Sequence, residues 1–358
     1  MVGLLYLFLV AISLMGEAFK ILGKDAAQGL FVGIENPFAG LAVGILATVL
    51  VQSSSVTTAT IVALVGSGEL ALALAVPMVM GANIGTTITN TLVSLGHVAR
   101  KVEFRRAFAA ATVHDFFNLM VVAVLFPLEM FTGFLAKTSA WMVSGLDIAQ
   151  GEKQTFFIKA WVKGGAGLVK DSLAGLGLEG GPLAAVLLVS ALAAIFFALF
   201  WITRIMRRLL AGRAEVALNA ALSRSGLLAI FIGIGMTVAV QSSSITTSLL
   251  VPLVAAGILR LENAFPVMLG ANMGTTITGF IAAVATDFPV KGLQIALVHF
   301  LFNLAGVALV YPLAVTRRIP IRMARRLAAA AVMNRWIVAV YVLGVFVLIP
   351  WVALTLFR

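Results

Sequence analysis

Two clusters of amide and hydroxyl side chains interrupt long apolar runs. Gln52-Ser53-Ser54-Ser55-Val56-Thr57-Thr58 returns 189 residues later as Gln241-Ser242-Ser243-Ser244-Ile245-Thr246-Thr247. A second pair follows at the same offset: Gly81-Ala82-Asn83-Ile84-Gly85-Thr86-Thr87 and Gly270-Ala271-Asn272-Met273-Gly274-Thr275-Thr276. Aligning 52–89 with 241–278 gives 22 identities in 38 positions, so the chain is a duplicated unit. After a four-residue slip the match resumes, with His114-Asp115-Phe116-Phe117-Asn118 against His299-Phe300-Leu301-Phe302-Asn303. One-turn spacing puts each His and its Asn on one helix face.

A lone serine at membrane depth commonly bonds between helices, at about 0.6–2 kcal/mol. The density here exceeds what such bonding needs and points to a ligand. An interrupted helix exposes N–H groups and the positive end of its dipole, which suit an anion. Gln52, Ser53, Ser54, Ser55, Gln241, Ser242, Ser243 and Ser244 are therefore the candidate substrate-binding set. Thr57, Asn83, Thr86, Thr87, Thr246, Asn272, Thr275 and Thr276 offer the hard neutral oxygens that Na⁺ prefers, and sodium is the only metal expected. Neither motif contains Lys or Arg. The cation would supply the positive charge, which is a physical reason to carry an oxyanion together with Na⁺. His114, Asp115, Asn118, His299 and Asn303 are intramembrane polar groups with two open readings: a direct functional role, or a clamp that hydrogen-bonds helix ends. Pro77, Pro127, Pro266 and Pro312 are expected to set kinks.

The elements that must position these groups follow from composition. Of 358 residues, 61% are hydrophobic and 11% charged, with mean hydropathy +1.10, which excludes an ordinary soluble domain. The net charge of +11 lies in short loops between apolar runs, where it records orientation rather than nucleic-acid binding. Zero cysteines exclude disulfides, thiol catalysis and zinc–thiolate sites. The first apolar run lacks a basic n-region and an A-x-A-like site, so it reads as a retained helix. The expectation is an all-α integral membrane protein of about seven spans, near 3–20, 70–96, 107–131, 183–203, 263–286, 293–316 and 336–357. The apolar runs beside the two Gln-Ser-Ser-Ser segments are too short to span and read as re-entrant hairpins, about 37–66 and 226–257. The two Gly-Ala-Asn-x-Gly segments read as locally unwound helices, about 70–96 and 263–286. This divides the chain into a first repeat (1–131), an external loop (132–182), a second repeat (183–316), and a basic cytoplasmic segment with a last span (317–358). Basic residues at 97–106, 204–224 and 317–326 place those segments in the cytoplasm. The equivalent of 97–106 is 286–292, which holds only Lys291 and Asp287, so equivalent loops face opposite sides and the repeats are inverted.

The paired motifs, with Glu103-Phe104-Arg105-Arg106-Ala107-Phe108 before Ala111-Thr112-Val113-His114-Asp115 and Gln294-Ile295-Ala296-Leu297-Val298-His299, closely resemble the type II sodium/phosphate cotransporters. The resemblance covers about Asn36 to Trp351 and is weakest in 132–182. It implies Na⁺-coupled uptake of inorganic phosphate by alternating access, with the Gln-Ser-Ser-Ser segments at the substrate site and no cofactor. Partners would be phosphate, sodium and the lipid bilayer, with no nucleic acid. Some members carry Ser where Ala82 and Ala271 stand here. Eukaryotic members have a cysteine-bridged outer loop and a longer C-terminal region. This chain has no cysteine and one span after the arginine cluster, so it resembles the bacterial, inner-membrane members. The alternatives are a Na⁺-coupled carrier of another oxyanion, a dicarboxylate or sulfate, and, more remotely, an intramembrane serine hydrolase. The duplicated serines, and the lack of a second acid at Phe300, argue against an enzyme.

Orientation yields a direct test. Single cysteines introduced into 97–106 and 286–292 of this cysteine-free chain should label with impermeant reagent from outside only at 286–292. Equal labelling of both from one side would rule out inversion.

Overall fold

The computed structural model describes residues 2–22, 36–145, 157–210 and 225–357, and every regular element among them is helical. The first half contains α1 (Val2–Leu22), α2 (Pro37–Val51), α3 (Ser54–Ser67), α4 (Leu72–Gly85), α5 (Ile88–Leu95) and α6 (Lys101–Thr132). Then follow α7 (Phe134–Ser144), α8 (Phe157–Gly175) and α9 (Gly180–Leu210). The second half continues with α10 (Gly226–Val240), α11 (Ser243–Ala255), α12 (Leu261–Val284) and α13 (Pro289–Val310). The chain closes with α14 (Ala314–Met333), α15 (Trp336–Leu343) and α16 (Ile349–Leu356). A π turn at Gly344–Leu348 joins the last two, just before Pro350, whose ring cannot share the normal ladder.

Among the described residues, seven segments are long and apolar enough to cross a membrane: Val2–Ile21, Leu72–Leu95, Lys101–Thr132, Gly180–Trp201, Leu261–Val284, Pro289–Val310 and Trp336–Leu356. They fall on the seven expected stretches, and the chain is a multi-pass membrane protein. α2, α3, α10 and α11 are apolar but only 13–15 residues long. Arg213 and Arg224 of the basic loop lie outside the described residues.

Small residues let the helices of each half approach closely. α2 packs on α4, and α10 repeats this on α12. At the first crossing a Cβ on Gly44 would overlap the Met78 carbonyl, and one on Gly81 the Leu41 carbonyl. At the second, Gly233 stands against the Val267 carbonyl and Gly270 against that of Ile230, at the same 189-residue offset. This corrects the reading of the glycine-flanked asparagines. The glycines serve backbone-to-backbone contact rather than unwinding. α12 runs unbroken through Gly270–Thr276. In the first copy only Thr86 and Thr87 leave the helix, and Thr86 (φ −56°) and Thr87 (φ −82°) stay in the right-handed region.

The halves also exchange helices. α3 packs on α12 and α13 of the second half, while α11 packs on α5 and α6 of the first. The segment 132–182 is not a simple loop: α7 lies on α13, and α8 docks on α1. Ion pairs fasten that end. Lys20 meets Glu17 at 2.7 Å and Asp287 at 2.6 Å, Lys163 meets Asp287 at 2.9 Å, and Lys170 meets Glu17 at 3.2 Å. Burial works against ionisation of Asp287, but Lys20 and Lys163 outweigh it and hold the carboxyl at about 2. The basic stretch 317–326 is also ordered as part of α14, which packs Ile321, Ala324 and Ala328 inward and lies on α6.

Two glycines two residues apart on α10 provide an internal control. Gly233 touches the Val267 backbone, whereas nothing lies within 4 Å of a Cβ on Gly235. Gly233→Ala should destabilise by about 1–3 kcal/mol through overpacking. Gly235→Ala should be neutral or gain up to about 1 kcal/mol of helix propensity. Thermal unfolding of the purified variants in detergent reads the difference, and equal midpoints would discard the close-approach account.

Candidate functional site

The two Gln-Ser steps are built alike. α2 ends at Val51, Gln52 turns left-handed (φ 56°), and Ser53 is extended (φ −151°) before α3 begins. Gln241 (φ 57°) and Ser242 (φ −155°) repeat the step between α10 and α11. Left-handed backbone costs a non-glycine residue roughly 1–2 kcal/mol, so each glutamine must be held there. Gln52 Nε2 donates to the Val49 carbonyl at 2.6 Å, and its Oε1 accepts from the Thr89 hydroxyl at 3.2 Å. Gln241 Nε2 donates to the Val238 carbonyl at 2.8 Å, and its Oε1 accepts from the Thr278 hydroxyl at 3.1 Å. The first serine of each cluster is a helix cap: Ser53 Oγ accepts from Val56 N–H at 3.3 Å, and Ser242 Oγ from Ile245 N–H at 3.4 Å.

The steps also meet across the halves. Ser55 Oγ donates to the Gln241 carbonyl at 3.3 Å. This brings the α3 and α11 N-termini to one place, with the N–H groups of Ser54, Ser55, Ser243 and Ser244 at their first turns, where helices lack internal acceptors. Ser54 and Ser243 are buried, and their hydroxyls have no hydrogen-bond partner among the described residues. Ser244 is half-buried beside them. This donor-rich junction can take up the oxygens of an anion.

The threonines spend their protons on their own helices. Thr57, Thr86, Thr87, Thr275 and Thr276 donate to the carbonyls of Ser53, Ala82, Ile84, Ala271 and Met273 at 2.7–3.2 Å. Their oxygen lone pairs stay available to a cation. Thr246 donates to the Ser242 carbonyl at 3.3 Å and accepts from Thr237 at 2.9 Å. In the first copy the equivalent of Thr237, Thr48, is fully buried with no hydrogen-bond partner among the described residues, as is Thr58.

Asn83 and Asn272 are drawn into a buried network that crosses the halves. Asn118 Nδ2 donates to the Asn83 backbone carbonyl at 2.6 Å. A carbonyl can only accept, so this fixes the Asn118 amide and turns its Oδ1 to Asn272 Nδ2 at 2.8 Å. Asn272 Oδ1 then faces His114 Nε2 at 2.6 Å, and the proton must be on that nitrogen. The second copy is looser. Asn83 Nδ2 donates to the Val79 carbonyl at 2.9 Å, leaving its Oδ1 for His299 Nε2 at 3.4 Å. Asn303 Nδ2 turns to the His299 carbonyl at 3.1 Å, with its Oδ1 unpartnered. Asp115, fully buried, accepts from the Tyr341 hydroxyl at 2.8 Å, while its Oδ1 has no hydrogen-bond partner. No hydrogen bond joins this network to either Gln-Ser step among the described residues. The structure therefore brings the serines together at one junction and gathers the His and Asn residues at a second.

Several participants were not singled out by sequence. Thr48 and Thr237, and Thr89 and Thr278, sit at the 189-residue offset, so the repeat itself would have found them. Asn90, whose Oδ1 accepts from Thr247 at 2.9 Å and Ser248 at 3.1 Å, corresponds to Gly279 and leaves no such trace. Tyr341 lies outside the duplication altogether.

Residues 7–146 and 194–334 match the family described as Na+/Pi-cotransporter, and the chain belongs to that family. It is 34% identical over 420 residues to sodium-dependent phosphate transport protein 2A of Rattus norvegicus. It is 33% identical over 439 residues to sodium-dependent phosphate transport protein 2B of Homo sapiens. These alignments cover 98% of this chain but 66% and 64% of the relatives, so the chain spans just under two thirds of their length. No solved structure matches it.

The network makes a graded prediction. His114→Ala leaves Asn272 Oδ1 without its donor and should cost roughly 1–3 kcal/mol, besides the lost packing. His114→Gln supplies an amide N–H to the same region and should recover part of that loss. Thermal unfolding of both variants checks the order; a His114→Ala protein as stable as the parent would mean the bond contributes nothing.

Proposed function

We propose that this chain carries inorganic phosphate inward together with Na⁺, as a secondary transporter. The observation that carries the reading is the contact of Ser55 with the Gln241 carbonyl, which sets two helix N-termini and two unpaired serine hydroxyls around one point. The names of the relatives support phosphate and sodium as the cargo. In this reading Gln52, Ser53, Ser54, Ser55, Gln241, Ser242, Ser243 and Ser244 form the phosphate site. The glutamines and the capping Ser53 and Ser242 shape the backbone, while Ser54, Ser55, Ser243 and Ser244 present the donors. Sodium takes oxygens of Thr57, Thr86, Thr87, Thr246, Thr275 and Thr276, with Asn83 and Asn272 reached through the buried network. A phosphate anion held only by neutral donors still loses its hydration. Cations alongside offset that loss, and linkage makes each ligand raise the other's affinity.

The two halves, 1–131 and 183–316, would act as inverted repeats, with 37–66 and 226–257 as re-entrant hairpins and 132–182 outside. The basic residues of 97–106 and 317–326 would face the cytoplasm of a bacterial inner membrane. Alternating access then moves the helices of one half against those of the other around the serine junction.

Uptake of radiolabelled phosphate into proteoliposomes under an inward Na⁺ gradient tests the reading, with sulfate and succinate as competitors. Ser54→Ala and Ser243→Ala should each lower kcat/KM by about 5- to 150-fold, since each strips a donor worth about 1–3 kcal/mol. The phosphate KM should fall as Na⁺ rises. Uptake indifferent to Na⁺, or to both substitutions, would overturn the proposal.

A further inference from the structure

A cavity of about 1000 Å³ lies away from the serine junction, between the start of α6, the α11–α12 connection and α14. Five cations line it: Lys101, Arg105 and Arg106 from the first half, Arg260 from the second, and Arg325 from α14. Among the described residues only Arg325 is paired, to Glu262 at 2.7 Å. Among the described residues no carboxylate reaches Lys101, Arg105, Arg106 or Arg260. The nearby Glu103 is turned to Arg100 at 2.8 Å instead. Arg106 is laid across Gly257, where an added Cβ would come within 2.6 Å of its Nη1. The inner wall is apolar, with Ala109 and Val254 buried.

Four unneutralised cations converging on one concavity repel one another. That arrangement gains stability when an anion occupies it, and low-dielectric walls strengthen the attraction. The guanidinium forks of three unpaired arginines match the oxygens of a phosphate group, which they can hold bidentately. The volume is at the upper end of small-ligand sites and exceeds what a lone tetrahedral oxyanion fills. We propose that this basic cavity is a second anion site, distinct from the serine junction, which binds a phosphate-bearing group. The group comes from one of two sources, the headgroup of an anionic phospholipid or free phosphate. Because Arg105 and Arg260 belong to opposite halves, the bound anion bridges the seam between them. Lipid would reach it from the leaflet on the side that the basic residues assign to the cytoplasm, where anionic headgroups attract such clusters.

The test uses the purified full chain in Na⁺-free buffer. One arm supplies phosphatidylglycerol or phosphatidylcholine and counts retained lipid by native mass spectrometry. The other measures radiolabelled inorganic phosphate by equilibrium dialysis. A lipid source gives about tenfold preference for phosphatidylglycerol, lost in Arg105→Gln/Arg260→Gln. A free-phosphate source gives saturable Na⁺-independent binding that is lost in the same variant and retained in Ser54→Ala, which separates this site from the transport reading. All the substituted arginines are exposed, and Lys101→Gln/Arg105→Gln provides a second variant in which the same loss is expected. The proposal is overturned if the native chain shows neither preference nor Na⁺-independent phosphate binding. It is equally overturned if both variants bind as the native chain does.

Discussion

A helix that stops leaves N–H and C=O groups that have no partner within the helix. Two helices of this protein stop and restart in this way, at Gln52-Ser53 and at Gln241-Ser242. Gln52 and Gln241 each absorb a left-handed turn, tie their amides to the helix just ended, and accept a threonine hydroxyl from the neighbouring motif helix. Ser53 and Ser242 cap the helix that follows. These take up one carbonyl and one N–H at each step, while the first N–H groups of α3 and α11 have no acceptor within their own helices. The same interruption that leaves backbone groups unpaired thus gathers hydrogen-bond donors at one junction.

The halves could not supply this singly. α3 leans on α12 and α13, and α11 on α5 and α6, so each N-terminus is positioned by the other half. The glycine crossings let α2 approach α4, and α10 approach α12, to backbone contact. The His–Asn network then links the motif helices across the same seam, through an amide chain whose direction is fixed by one backbone carbonyl.

Duplication did not leave two equal copies. The first motif helix relaxes at Thr86–Thr87 while the second runs straight. Thr237 is paired with Thr246, but Thr48 is buried without a hydrogen-bond partner among the described residues. Asp115 is matched by Phe300, and a tyrosine from the last span reaches the carboxylate. The two copies therefore present chemically different side chains at equivalent positions.

The sequence by itself determined the all-helical membrane class, the seven spans, the duplication and the serine clusters, because hydropathy and repetition are written locally along the chain. It misread the glycines, since flexibility and close approach call for the same residue, and only the facing carbonyls of Leu41 and Ile230 tell them apart. It left His114 open between two roles, and the tertiary structure gave it Asn272 as partner, 158 residues away. Asn90 and Tyr341 left no trace in the repeat, and the basic residues of three separate segments gave no sign that they line one cavity. Those facts depend on which helices lie side by side, and that is decided by packing between the halves rather than by any pattern along one of them.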